Sequence, residues 1–153
     1  MNKFEKIKNK TKYWIKTLKL KQKFIIKEAT KQQKKENIFS GYSEIHFKYE
    51  NGFKKQYALL IFNPKTITLR DISNHIDRVI LHELGHIVCG ESEYKAEKYM
   101  LSILYKYNIR LYEKLINFMQ SFLSNEDMIY CFQYPEHYKA FCRVYNVTNR
   151  LII

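Results

Sequence analysis

Glycine and proline are scarce in these 153 residues, four and two respectively, and no repeat or low-complexity stretch appears beyond a lysine-rich N-terminal segment. Cysteine is nearly as rare: Cys89, Cys131 and Cys142 are odd in number, widely spaced and without a CxxC pair. That argues against a disulfide framework and against a cysteine-rich zinc module, so a reduced, intracellular (cytoplasmic) protein is expected. No apolar run approaches the roughly 20 residues that cross a bilayer, and no integral membrane contact is expected. The first residues, MNKFEKIKNK, lack the apolar stretch and small-residue cleavage site of a secretory signal. Acidic residues are also few, 15 against 27 lysines and arginines, leaving a net charge of +12. Apolar residues are not scarce. At 46% hydrophobic and 16% aromatic, the chain has enough to bury the core of one domain and is not intrinsically disordered.

The positive charge is concentrated at one end. Residues 1–36 hold thirteen lysines against Glu5, Glu28 and Glu36, which is +10 of the total, and the remaining 117 residues are close to neutral. Within that segment Phe4, Ile7, Trp14, Leu18 and Ile25 recur at helical spacing, widened by Ile15 and Ile26. The pattern predicts a lysine-rich amphipathic helical arm over 1–36, of one or two helices, followed by a domain over 37–153. Such an arm can be a solvated helix docked on the domain, a nucleic-acid contact made through phosphates, or a helix on a membrane surface.

Asn37 to Gly41 interrupts the helical period. Ile45, Phe47 and Tyr49 then alternate as a strand, and Glu50-Asn51-Gly52 signals a hairpin turn. Tyr57–Phe62 reads as a buried strand, and Ile67 and Leu69 as a short third one, giving a small antiparallel sheet. Helical periodicity follows from about Ser73 to Val88, from Ser92 as N-cap to about Tyr107, and over about 110–123. Ser124 with Asp127 resembles a capping box, and Pro135 opens a last helix to about Asn149. The fold class is α+β.

The chemistry is concentrated in His82-Glu83-Leu84-Gly85-His86. Histidines four apart share one helical face, about 6 Å of rise apart, so both rings can reach one metal ion. Zinc accepts histidine nitrogens, and a catalytic site leaves a coordination position for water. Glu83 is placed to take that water's proton and pass it to a leaving amine. Gly85 permits close packing between the two histidines. Three groups can complete the set: Glu91, Glu93 and His137. Tyr130, Tyr134 and Tyr138 are candidates for stabilising an oxyanion, and Cys89 points away from the motif and is read as packing.

The HELGH segment resembles the active-site helix of zincin metallopeptidases. Cys89 and Ser92 stand where the extended metzincin motif has glycine and a third histidine, so the resemblance is not to that branch. Glu93-Tyr94-Lys95-Ala96-Glu97 is similar to the E-x-x-A-D/E element of gluzincins. That similarity implies Glu93 as third zinc ligand and Glu97 as a group orienting a ligand histidine. The longer run of Glu93, Ala96, Tyr99, Met100, Ile103 and Leu104 resembles a segment of the ImmA/IrrE-type metallopeptidases, which act on DNA-bound repressors. The resemblance implies a zinc peptidase with a zincin-like fold whose substrate is a DNA-bound regulatory protein. Glu97 replaces the usual aspartate, Met100 the usual small residue, and no helix-turn-helix is recognisable. Pro135-Glu136-His137 also resembles the late histidine segment of SprT-like proteases, which would make His137 the third ligand. A non-enzymatic nucleic-acid-binding module with a structural zinc site is the remaining alternative.

Overall fold

The computed structural model describes residues 1–36, 39–132 and 134–148, with backbone only at 126 and 130. Residues 37 and 38 of the predicted break from Asn37 to Gly41, the predicted helix end at Asn149 and the side chain of Tyr130 lie outside the described residues. Among those described, the elements are α1 (Lys3–Thr17), β1 (Lys23–Glu28), α2 (Lys31–Glu36), β2 (Gly41–Glu50) and β3 (Phe53–Phe62). After them come α3 (Ile76–Cys89), α4 (Glu93–Tyr107), α5 (Ile109–Ser124), a 3-10 helix (Glu126–Cys131) and α6 (Pro135–Tyr145). The class is α+β. No helix among the described residues is long and apolar enough to cross a membrane.

The N-terminal segment departs from the predicted helices. Only its first part is a long helix. Asn2 caps α1 by accepting from the Glu5 N–H at 2.8 Å, and Ile7, Thr11 and Trp14 bury one face. Residues 23–28 are a strand, because Phe24 and Ile26 pack on the core while Lys23, Ile25 and Lys27 alternate to the other face. The flanking lysines hide that period of two from a reading of helical stripes.

The sheet is also not wholly antiparallel. Its order is β1-β3-β2, with β3 antiparallel to β2 and parallel to β1. The predicted hairpin forms, with Asn51 and Gly52 both at positive φ (51° and 78°). The predicted strand at 67–69 does not join: Ile67 is buried, but Thr68 makes only an isolated bridge to His75. Leu60 and Phe62 of β3 are fully buried, while β2 remains an edge.

Helix α3 packs on β2 and α1 and, on its other side, on α4. Its N-terminus is pinned by Trp14, whose Nε1 donates to Asp77 Oδ1 at 2.8 Å, with Lys10 Nζ 3.5 Å from the same oxygen. Ser92 caps α4 as predicted, accepting from the Lys95 N–H at 3.2 Å. Ser124 does not cap the next element. Its hydroxyl bonds back to the Gln120 carbonyl at 2.6 Å, and Asn125 accepts from Asp127 instead. Helix α6 ends at Tyr145, where Asn146 turns left-handed at φ 56°.

Gly85 sets the distance between α3 and α4. A Cβ there would lie 2.8 Å from the Ala96 carbonyl oxygen and 2.9 Å from its Cα, both backbone atoms that cannot swing away. Gly85→Ala gains about 1 kcal/mol of helix propensity but incurs an overpacking cost of about 1–3 kcal/mol. A net fall in melting temperature is therefore expected, with weaker metal binding because Glu93 sits one turn before Ala96. A rise in melting temperature with unchanged metal affinity would refute the contact.

Candidate metal centre

Helix α3 carries His82 and His86 on one face, and the cap at Ser92 starts α4 with Glu93 in its first turn. The close α3–α4 approach then brings the three together. Glu93 Oε2 lies 3.0 Å from His82 Nε2, Glu93 Oε1 lies 3.0 Å from His86 Nε2, and the two imidazole nitrogens are 3.1 Å apart. Among the described residues, this is the cluster of histidine, cysteine and acidic side chains able to hold a metal ion. Four ligands at 2.0–2.1 Å around tetrahedral zinc stand roughly 3.3–3.4 Å from one another. The two ring nitrogens stand within a few tenths of an ångström of that, and Glu93 turns a different oxygen to each ring, so the three residues can hold one metal ion.

Each ring is aimed by a second contact. His86 Nδ1 donates to the Gly90 carbonyl at 2.9 Å, which turns Nε2 towards Glu93. Gly90 takes φ 92° there, a conformation that L side chains rarely adopt, and its N–H closes the helix on the His86 carbonyl. His82 Nδ1 faces Glu97 Oε2 at 3.8 Å, a charge contact longer than a hydrogen bond. Glu97 is fully buried and bonded to Arg78 at 3.2 Å, while Arg78 also donates to the Ser73 carbonyl.

Glu83 sits beside the cluster, 8% exposed, with Oε2 accepting from the Ser43 hydroxyl at 2.6 Å. A Cβ on Gly41 would lie 2.8 Å from Glu83 Cγ, so β2 presses directly on this side chain. The carboxylate stands where two cavities meet. One, about 600 Å³, runs along residues 41–46 of β2 to His86 and Glu93. The other, about 510 Å³, is walled by Phe118, Phe122, Phe132 and Phe141 and reaches His82 and Arg78.

The other predicted positions lie elsewhere. His137 is on α6 with its ring edge-to-face on Tyr134 at 5.2 Å, and it is not in the cluster. Glu91 lines the first cavity from its loop but does not join the three donors. Tyr138 is buried, donating to the Leu123 carbonyl at 3.2 Å, and Tyr134 is half exposed. The strand predicted over 57–62 is the central β3, so the sheet edge beside the centre is β2. Sequence reading missed Ser43, Gly41 and Arg78. Only Arg78 carries a local signal, four residues before His82 on the same helical face.

The electrostatics of these side chains are those of paired ions. Burial works against a charged His82, yet its hydrogen bond with Glu93 and the nearby Glu97 and Glu83 carboxylates carry its pKa from 6.5 to about 10. His86 is likewise raised against burial by Glu93, and Glu93 is held well below the usual carboxylate range by the two rings. The histidine contribution to stability is then fully present below about 6.5 and lost as pH rises towards 10. The Glu93 contribution is present above about 4.5 and lost as pH falls. Thermal melts of chelated protein should therefore show their maximum between those limits, and metal affinity should rise with pH as protons leave the ligands. A melting temperature that climbs from pH 7 to 10 without metal would contradict the pairing.

Comparison with protein-family models, curated proteins and solved structures gives no match to this chain.

Proposed function

We propose that this chain is a zinc-dependent peptidase, with His82, His86 and Glu93 holding the metal and Glu83 as general base. The observation that carries the reading is the meeting of two imidazole nitrogens and a carboxylate within 3.1 Å, beside a second, buried carboxylate. Two histidines and one glutamate form an open catalytic donor set rather than a closed structural one. Bound there, zinc would lower the pKa of a water molecule and polarise a carbonyl. Glu83, steadied by Ser43, accepts a proton from the attacking water and returns it to the departing amine. The free edge of β2 supplies backbone donors and acceptors along which an extended peptide can lie. The phenylalanine-walled chamber next to Glu83 suits a bulky apolar side chain adjoining the cleaved bond.

The test uses the purified full chain. Zinc should be bound at one ion per chain, and unstructured peptides should be cut next to Phe, Leu or Met. Chelation should remove that activity and zinc restore it. Zinc-bound protein that cuts no peptide, and unfolds on chelation, would make the site structural and end the peptidase reading.

A further inference from the structure

A second groove, remote from the metal centre, lies between the end of α1 and β1 and measures about 580 Å³. Its floor is apolar, made by Ile15, Leu20, Phe24 and Ile26, and its rim is Lys12, Lys16, Lys19 and Lys21. None of these four lysines forms an ion pair among the described residues, whereas Lys10, Lys34, Lys48 and Lys55 do. The turn that builds the groove has a paired helix closure. Lys19 N–H bonds the Lys16 carbonyl and Leu20 N–H bonds the Ile15 carbonyl, each at 3.1 Å, which sets Ile15 against Leu20. Lys19 holds φ 55°, a conformation that glycine adopts at less cost, so a charge stands where the backbone favours glycine.

The groove adjoins an open sheet edge. Strand β1 is outermost and pairs with β3 alone, and no other group among the described residues hydrogen-bonds to the backbone of 23–28. Such an edge accepts a further strand. Lys23 and Lys27 would set like charges against each other if a second copy of the chain paired there. A membrane is disfavoured because the apolar face of α1, with Ile7 and Trp14, is already buried in the core. Nucleic acid, one of the three roles that the sequence leaves open for these lysines, fits less well, because the floor is mainly aliphatic, whereas single-strand grooves present aromatic stacking platforms.

We propose that the β1 edge and this groove take an acidic, alternately apolar segment of a partner protein as a fourth, outermost strand. Its apolar side chains would enter the groove over Phe24 and Ile26. Its carboxylates would face Lys23 and Lys27 across the strand pair, and acidic flanks would meet the rim lysines. The proposal does not depend on the metal centre or on peptidase activity.

Fluorescence anisotropy with the full chain tests it, using a labelled peptide that alternates valine and glutamate. Its binding should exceed that of a valine–lysine peptide, a single-stranded oligothymidylate and phosphatidylserine vesicles. Combining Lys12→Gln, Lys16→Gln, Lys19→Gly and Lys21→Gln should weaken it roughly tenfold. Lys19→Gly alone should keep or raise the melting temperature, because it relieves the positive φ, while still weakening binding. Hydrogen exchange at residues 23–28 should slow when the glutamate peptide is bound. The proposal is overturned if the oligothymidylate or the vesicles bind more tightly, if the combined variant binds the peptide unchanged, or if 23–28 gain no protection.

Discussion

Glu83→Gln should leave the protein folded and zinc-loaded while cutting peptide hydrolysis by about 10²–10⁴-fold. The amide keeps the shape of the carboxylate and can still meet the Ser43 hydroxyl, which lies 2.6 Å from Oε2. It cannot take a proton. Because Glu83 is not among the three donors around the metal position, zinc content should not change. Metal analysis with single-turnover cleavage separates the two properties. Unaltered turnover in a zinc-loaded variant would remove Glu83 from the mechanism, and loss of zinc would make it a ligand. Ser43→Ala should act in the same direction with a smaller effect, since it loosens the base without removing it.

Glu97→Ala should be the most damaging change to the fold near the centre. Glu97 is fully buried, and Arg78, whose side chain is 15% exposed, faces it at 3.2 Å. Removing the carboxylate leaves a mostly buried guanidinium without its counter-charge, for which a loss of about 3–5 kcal/mol is expected. Metal affinity should fall about 10–100-fold as well, since the charge behind His82 Nδ1 disappears. Chemical denaturation and zinc titration measure the two losses separately. Lost stability with unchanged zinc affinity would assign Glu97 to Arg78 alone. Glu97→Gln, which keeps the volume, should recover some of the packing but not the charge balance.

The parts of the molecule legible in the sequence are those governed by neighbours a few residues apart. Helical spacing places His82 and His86 on one face, Asn51-Gly52 reverses a hairpin, and Ser92 starts α4; all three follow from local backbone geometry. Residues 23–28, which the helical reading covers, form a strand for an equally local reason. Lysines interleave both the helical stripe of α1 and the alternation of β1, so composition alone does not reveal where the period changes. No sequence signal marked Gly41 or Ser43 as touching Glu83, because that contact joins residues 40 apart.

Two imidazoles one turn apart on a single helix were thus a property of the chain itself. Which group would face them was not, since Glu91, Glu93 and His137 are all compatible with the spacing. That choice came from packing: the missing side chain at Gly85 lets α4 approach at Ala96, which swings Glu93 onto the rings and leaves His137 on another helix. The mixed sheet and the free edge of β2 were decided in the same way. Distances between elements depend on which surfaces interlock, and a linear pattern of residues does not encode them.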